Sequence, residues 1–301
     1  MERPEGIVDF TPDPKLFPFT SRWFDSSVGL IHYIDEGDGP AVLLMHGNPD
    51  WSFLYRDIIT ALGPEVRCIA PDYPGFGLSV HPDGYGYMPA EHADVVLELV
   101  EHLDLNDVVV MGQDWGGPIG LDIASRVPDR IKGLVMANTW FWPADDRTMK
   151  AFSKLMGSRP IQALITKRNF FVTVVMKRSL QTKMSPDEFA HYTDVLPTPE
   201  SRRGAAVFPI AITAARPWLT DLETRVAQTL RDKPAALVFG KKDFALGSDA
   251  TVARWRKEFP KASVVEIPDA GHFIQEDNPA ACVAAIREIL SSSTPTDNTE
   301  E

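Results

Sequence analysis

Apolar and polar residues alternate along the chain in two rhythms. Five short runs are apolar almost without interruption: residues 41–45, 66–70, 107–111, 131–137 and 235–239. Runs of that length and character predict strands covered on both faces, as in a parallel sheet. Residues 28–35 alternate as a strand, and residues 262–267 predict a last one. Helical spacing marks residues 51–62, 89–103, 118–124, 249–259 and 279–291. Strand and helix in turn predict an α/β fold with a mostly parallel central sheet flanked by helices. Residues 1–25 predict an extended lead-in anchored by aromatics. Between residues 140 and 216 the rhythm breaks. Aromatic and basic residues, prolines and helical patterning occur there without a clear strand, which predicts an inserted helical cap. The expected organisation is a core of residues 1–139 and 217–291, a cap of residues 140–216, and a disordered tail of residues 292–301 rich in Ser, Thr, Asp and Glu.

Composition narrows the class. A chain of 301 residues holds one large domain with an insertion. Its net charge of −12 argues against nucleic acid or an anionic membrane as partner. Cys68 and Cys282 each sit in an apolar run and read as small buried hydrophobes. No metal-ligand spacing is present, and no metal is expected. There is no basic-then-apolar leader and no run long enough to span a bilayer, so the expected location is cytoplasmic.

In parallel sheets, functional groups gather at the carboxyl ends of strands. His46, Asn48, Asp114, Asn138, Asp243 and His272 all lie just past a predicted strand. The centre is Gly112-Gln113-Asp114-Trp115-Gly116-Gly117: strand, glycine turn, helix. That is the context of a nucleophile elbow, with Asp where serine usually stands. A carboxylate can attack carbon and form an alkyl ester; taken alone, Asp114 could equally cap the following helix. The chain order Asp114, Asp243, His272 is nucleophile, acid, base. His272 is the candidate base and Asp243 the acid that orients it, with Asp269 and Asp277 as rivals. Asn48 and Trp115 carry neutral N–H donors, suited to a leaving halide. Their backbone N–H groups offer an oxyanion hole. The plainer alternative is a turn residue and a packing aromatic.

These residues resemble those of the haloalkane dehalogenases of the α/β-hydrolase superfamily. The resemblance rests on His46-Gly47-Asn48-Pro49, the loop of residues 72–79, Gly112 to Gly117, Val207-Phe208-Pro209 and residues 271–276, and it covers nearly the whole chain. Asp243 with Asn48, and the segment of residues 138–143, resemble the third subfamily, whose members often form larger oligomers. Some relatives carry a catalytic Glu where this chain has Asn138. The resemblance implies hydrolysis of a small halogenated substrate to alcohol, halide ion and proton, with no cofactor. It also implies a pocket walled by the cap, for which Trp140, Phe141, Phe152, Phe208 and Pro209 are the candidates, with Trp142, Phe170 and Phe171 behind them.

Four other readings compete. An epoxide hydrolase needs acidic donors, usually two cap tyrosines, and the cap offers only Tyr192. A fluoroacetate dehalogenase needs arginine beside the nucleophile, where Trp115 stands. A cofactor-free light-emitting monooxygenase is more remote. A non-catalytic small-molecule binder would have no use for a base and its orienting acid.

Overall fold

The apolar runs lie side by side. In the computed structural model, which describes residues 7–292, they form the middle of an eight-stranded sheet. Its strands are β1 (Arg22–Ser26), β2 (Gly29–Glu36), β3 (Ala41–Met45), β4 (Arg67–Pro71), β5 (Val108–Gln113), β6 (Ile131–Ala137), β7 (Ala235–Gly240) and β8 (Ser263–Ile267). The order across the sheet is β1-β2-β4-β3-β5-β6-β7-β8. β1 pairs with β2, and β2 with β4, in antiparallel fashion; every other pair is parallel. β3, β5 and β7 are buried at every position, the reason they carry no polar alternation. The lead-in of residues 1–25 hides one strand, β1. Five residues with a mixed pattern give no signal until β2 pairs with them.

Helices α1 (Arg56–Leu62), α2 (Pro89–His102) and α3 (Gly116–Arg126) precede β6. Between β6 and β7 come α4 (Arg147–Met156), α5 (Arg159–Arg168), α6 (Lys177–Ser179), α7 (Pro186–Thr193), α8 (Arg203–Ala214) and α9 (Arg216–Thr229). After β7 follow α10 (Asp249–Glu258), α11 (Ile274–Asp277) and α12 (Pro279–Ser291). α8 packs on α4 and α5 in the helical insertion, whereas α9 packs back on α3 of the core. A π-helical segment, Phe171–Met176, interrupts the insertion. The insertion is tied to the segment that follows His272. Tyr192 of α7 donates to the Glu276 carboxylate of α11, which also holds Arg56 at 2.7 Å. Cys68 and Cys282 are free and buried. Among the described residues no helix is long and apolar enough to cross a membrane. The tail expected to be disordered, residues 292–301, lies outside the described residues beyond Ser292.

An aromatic stack runs beneath the loop after β3. His46 lies on Tyr73 at 3.9 Å and Tyr73 on His92 at 5.2 Å. Burial pushes His46 down to about 4 and His92 down to about 3, from an ordinary value of 6.5. Below pH 6.5 the unfolded chain therefore takes up protons that the folded one refuses. The stabilisation is complete above 6.5 and is lost as pH falls through the window from 6.5 towards 4 and 3. The melting temperature should accordingly drop steeply between pH 6.5 and 4, and a His92→Gln variant should drop less steeply across the same titration.

Candidate active site

Asp114 sits on the turn between β5 and α3 with φ of +50°, a conformation that a side chain with a Cβ seldom adopts. The surroundings hold it there. Its N–H donates to Asn138 O at 3.1 Å, and its carbonyl accepts from Thr139 Oγ1 at 2.6 Å and from Gly117 N at 3.1 Å. Two glycines make the approach sterically feasible. A Cβ on Gly116 would lie 1.9 Å from Met45 O, so only glycine lets α3 begin against β3. A Cβ on Gly47 would lie 2.5 Å from the Cβ of Asp114.

Around this turn the structure brings together three residues far apart in the chain. His272 Nε2 faces Asp114 Oδ2 at 3.3 Å, and His272 Nδ1 meets Asp243 Oδ2 at 2.7 Å. Asp243, 4% exposed, is fully satisfied: Oδ2 also accepts from Asn138 Nδ2 at 2.9 Å, and Oδ1 from the N–H groups of Ala245 at 2.8 Å and Leu246 at 3.1 Å. Burial alone would raise the Asp243 carboxyl. The charge of His272 and these hydrogen bonds outweigh it and hold the group below the ordinary carboxylate range. For His272 burial works downward, but the two carboxylates either side outweigh it and hold the imidazole well above 6.5. The rival acids are engaged elsewhere: Asp277 accepts from the N–H groups of Gln181, Thr182 and Gly271, and Asp269 pairs with Lys242.

Asn138 is the residue whose part the sequence left open. Its amide N–H groups donate to Asp243 and, at 2.9 Å, to Gly271 O, while its oxygen accepts from Gly240 N at 2.8 Å. It thereby bridges the ends of β6, β7 and the His272 loop. Its place past a strand, and the catalytic Glu that some relatives carry there, were the signals in the sequence. Asn138→Ala removes these buried bonds and should destabilise the fold by roughly 2 kcal/mol, read from urea unfolding.

Beside the three residues lies a cavity of about 60 Å³. Asn48, Asp114, Trp115, Asp243 and His272 form its polar end; Met149, Phe171, Val175, Met176, Ile212 and Phe244 are among its apolar walls. Trp140, Phe152 and Pro209 line it as expected from the sequence. Phe141 and Phe208 do not. Phe141 turns away into a cluster with Trp142, Trp255 and Phe259, and Phe208 is buried behind the wall, stacked on Trp115 at 5.5 Å and Phe76 at 5.0 Å. Trp142 and Phe170 are likewise outside the lining, and Phe171 is in it. Asn48 donates its backbone N–H to Asp114 Oδ1 at 3.2 Å and one amide N–H to Ala205 O at 3.3 Å, which leaves a second amide hydrogen. Three lining residues, Phe171, Val175 and Met176, come from the π-helical segment, a distortion common at functional sites.

Residues 40–279 match the alpha/beta hydrolase fold family. "Haloalkane dehalogenase 2" of Mycobacterium tuberculosis is 53% identical over 93% of this chain and 98% of its own. A "cis-3-alkyl-4-alkyloxetan-2-one decarboxylase" of Shewanella oneidensis is 31% identical over 92% of this chain and 90% of its own. Among solved structures, the haloalkane dehalogenase DbeA of Bradyrhizobium elkani superposes with a TM-score of 0.82 at 28% identity, over 91% of this chain and 100% of its own.

Proposed function

This chain belongs to the alpha/beta hydrolase fold family and, within it, to the haloalkane dehalogenases, and from that premise we propose that it hydrolyses haloalkanes through a covalent alkyl ester on Asp114. The observation that carries the reading is the position of His272, between the carboxylates of Asp114 and Asp243 at the end of an apolar cavity. Asp114 Oδ1 rests on the Asn48 N–H, so Oδ2 is the oxygen that attacks the carbon bearing halogen. The halide leaves along the line of attack, towards the side-chain N–H groups of Trp115 and Asn48. Water then adds to the ester carbonyl carbon and gives one proton to His272, whose cation Asp243 stabilises. The developing oxyanion lies at Oδ1, where the Asn48 N–H already waits. Collapse expels the alkoxide, which takes the proton from His272; Asp114 is left as the neutral acid and gives its proton to His272, which restores the carboxylate.

The cap of residues 140–216 supplies the apolar wall opposite the nucleophile, and the core of residues 1–139 and 217–291 supplies the reacting groups. Epoxide opening is disfavoured. Tyr192 is buried on Glu276, and no tyrosine lines the cavity among the described residues, so no phenol is at hand to protonate an epoxide oxygen. The test is release of bromide and protons from 1-bromobutane and 1,2-dibromoethane. Equal amounts of bromide, proton and alcohol are expected from 1-bromobutane. Failure to release bromide from either compound would overturn the reading.

A further inference from the structure

Asp50 is fully buried, two residues beyond the Asn48 N–H that holds Asp114, and neither of its carboxyl oxygens meets a protein partner. It has company. The Ser52 hydroxyl, the Tyr73 hydroxyl and the Gln275 side-chain oxygen are also buried without a protein partner. Asp50 and Ser52 lie in the segment after Asn48, and the charge of Asp50 bears on Tyr73. Asp50 N–H donates to Gly47 O at 3.2 Å, Ser52 N–H to Asp72 at 2.7 Å beside Tyr73, and Gln275 reaches Tyr55 OH at 3.5 Å. An apolar residue would fill such a position at no cost, whereas each unpaired polar group buried without water costs about 1–3 kcal/mol. Buried polar groups without protein partners are the ones that ordered water satisfies.

The electrostatics define what Asp50 can do there. The groups whose charge bears on it, or on which its own charge bears, are Asp114, His272, Glu276, Tyr55, Tyr73 and Tyr192. Glu276 is already paired with Arg56. Burial lifts the Asp50 carboxyl far above the ordinary carboxylate range; Asp114 and Glu276 add to the rise and His272 opposes it. A neutral carboxyl has one O–H to donate and oxygens to accept, which suits it to hold water and not to act as a charge.

The proposed reaction needs water at a definite moment. Once Asp114 is alkylated, the alkyl group fills the apolar cavity, so water from that side must pass the substrate. Asp50, unpartnered and within reach of the charges of Asp114 and His272, offers a second source. We propose that Asp50 is a positioning residue for the hydrolytic half-reaction: its carboxyl, with the hydroxyls of Tyr73 and Ser52, holds the water on which His272 draws to hydrolyse the Asp114 ester. This rests on the covalent reading above. Atoms balance as there: water supplies hydroxide to the ester carbon and a proton to His272, and alcohol leaves.

The experiment measures both half-reactions with 1-bromobutane by rapid quench: first-turnover bromide release for alkylation, and decay of the butylated Asp114 peptide by mass spectrometry for hydrolysis. Asp50→Val keeps the shape and removes the polar atoms. It should alkylate within about twofold of the native rate, hydrolyse ~10-fold or more slowly, and accumulate the ester. Asp50→Asn keeps a neutral donor and acceptor and should hydrolyse within about threefold of native. If Asp50→Val does not fold, Asp50→Ser, with a shorter hydroxyl, takes its place and should show the same selective slowing. Hydrolysis at the native rate in the Val or Ser variant would overturn the proposal. So would an equal fall in both half-reactions, which marks a merely structural role. A native enzyme that forms no ester overturns the covalent reading and this proposal together; the Asp50 variants fail it alone.

Discussion

Asp114→Ala should release no bromide from 1-bromobutane, a loss of roughly 10⁴-fold or more that reaches the detection limit. The expectation follows from the site's economy of parts. The cavity holds one carboxylate able to face the substrate carbon, because Asp243 is saturated by four donors and sits behind His272. His272 alone has no counterpart to attack carbon from the same place. The N–H groups proposed to bind halide lower the barrier only if something displaces it. A companion variant separates chemistry from backbone. At φ of +50° a Cβ is strained, and glycine is not. Asp114→Gly should be equally inactive yet more stable than Asp114→Ala by about 1 kcal/mol, since the two differ only in that backbone cost. Bromide release at a tenth of the native rate in either variant would mean that a different group attacks.

The sheet and the candidate site residues were legible because both are written locally. Unbroken apolar runs mark strands covered on two faces, and a parallel sheet sends their carboxyl ends to one edge. Asp114, Asp243, His272 and Asn48 could therefore be placed together with no knowledge of helix packing. The misplaced residues depend on packing. Phe141 and Phe208 look like pocket aromatics in sequence, but each faces neighbours that only the folded chain supplies: Trp255 and Phe259 for the first, Phe76 and Trp115 for the second. Met149, Val175 and Phe244 line the cavity through the angle of α4, the π-helical turn and the loop after β7, which only the folded chain sets. Asn138 and Asp50 show a third case. Asn138 stood plainly past a strand and Asp50 carried no signal in the sequence; the partners of the one, and the lack of them for the other, are long-range facts.

His272→Phe should alkylate and then stop. With 1-bromobutane the first step needs only Asp114 and the halide donors, so about one bromide per enzyme is expected, and the Asp114 peptide should gain the mass of a butyl group. The electrostatics add a consequence for the proton. In the resting site Asp243 and Asp114 hold the imidazole well above 6.5, which favours its cation over the free base. Alkylation turns the Asp114 carboxylate into a neutral ester. One of the two charges that held the proton disappears, burial regains weight, and the imidazole lets the proton go. The native enzyme should therefore release its proton together with bromide, ahead of alcohol, as a burst of about one proton per site in a weakly buffered indicator experiment at pH 7. His272→Phe should give the bromide burst without the proton burst. In the stability profile the same group has the opposite sign to the buried His46 and His92. A raised folded value stabilises fully below 6.5 and is lost as pH rises through that value, so the native protein should lose stability on the alkaline side where His272→Phe does not. A native proton burst that lags bromide and tracks alcohol would show instead that His272 is neutral at rest and is a base from the start.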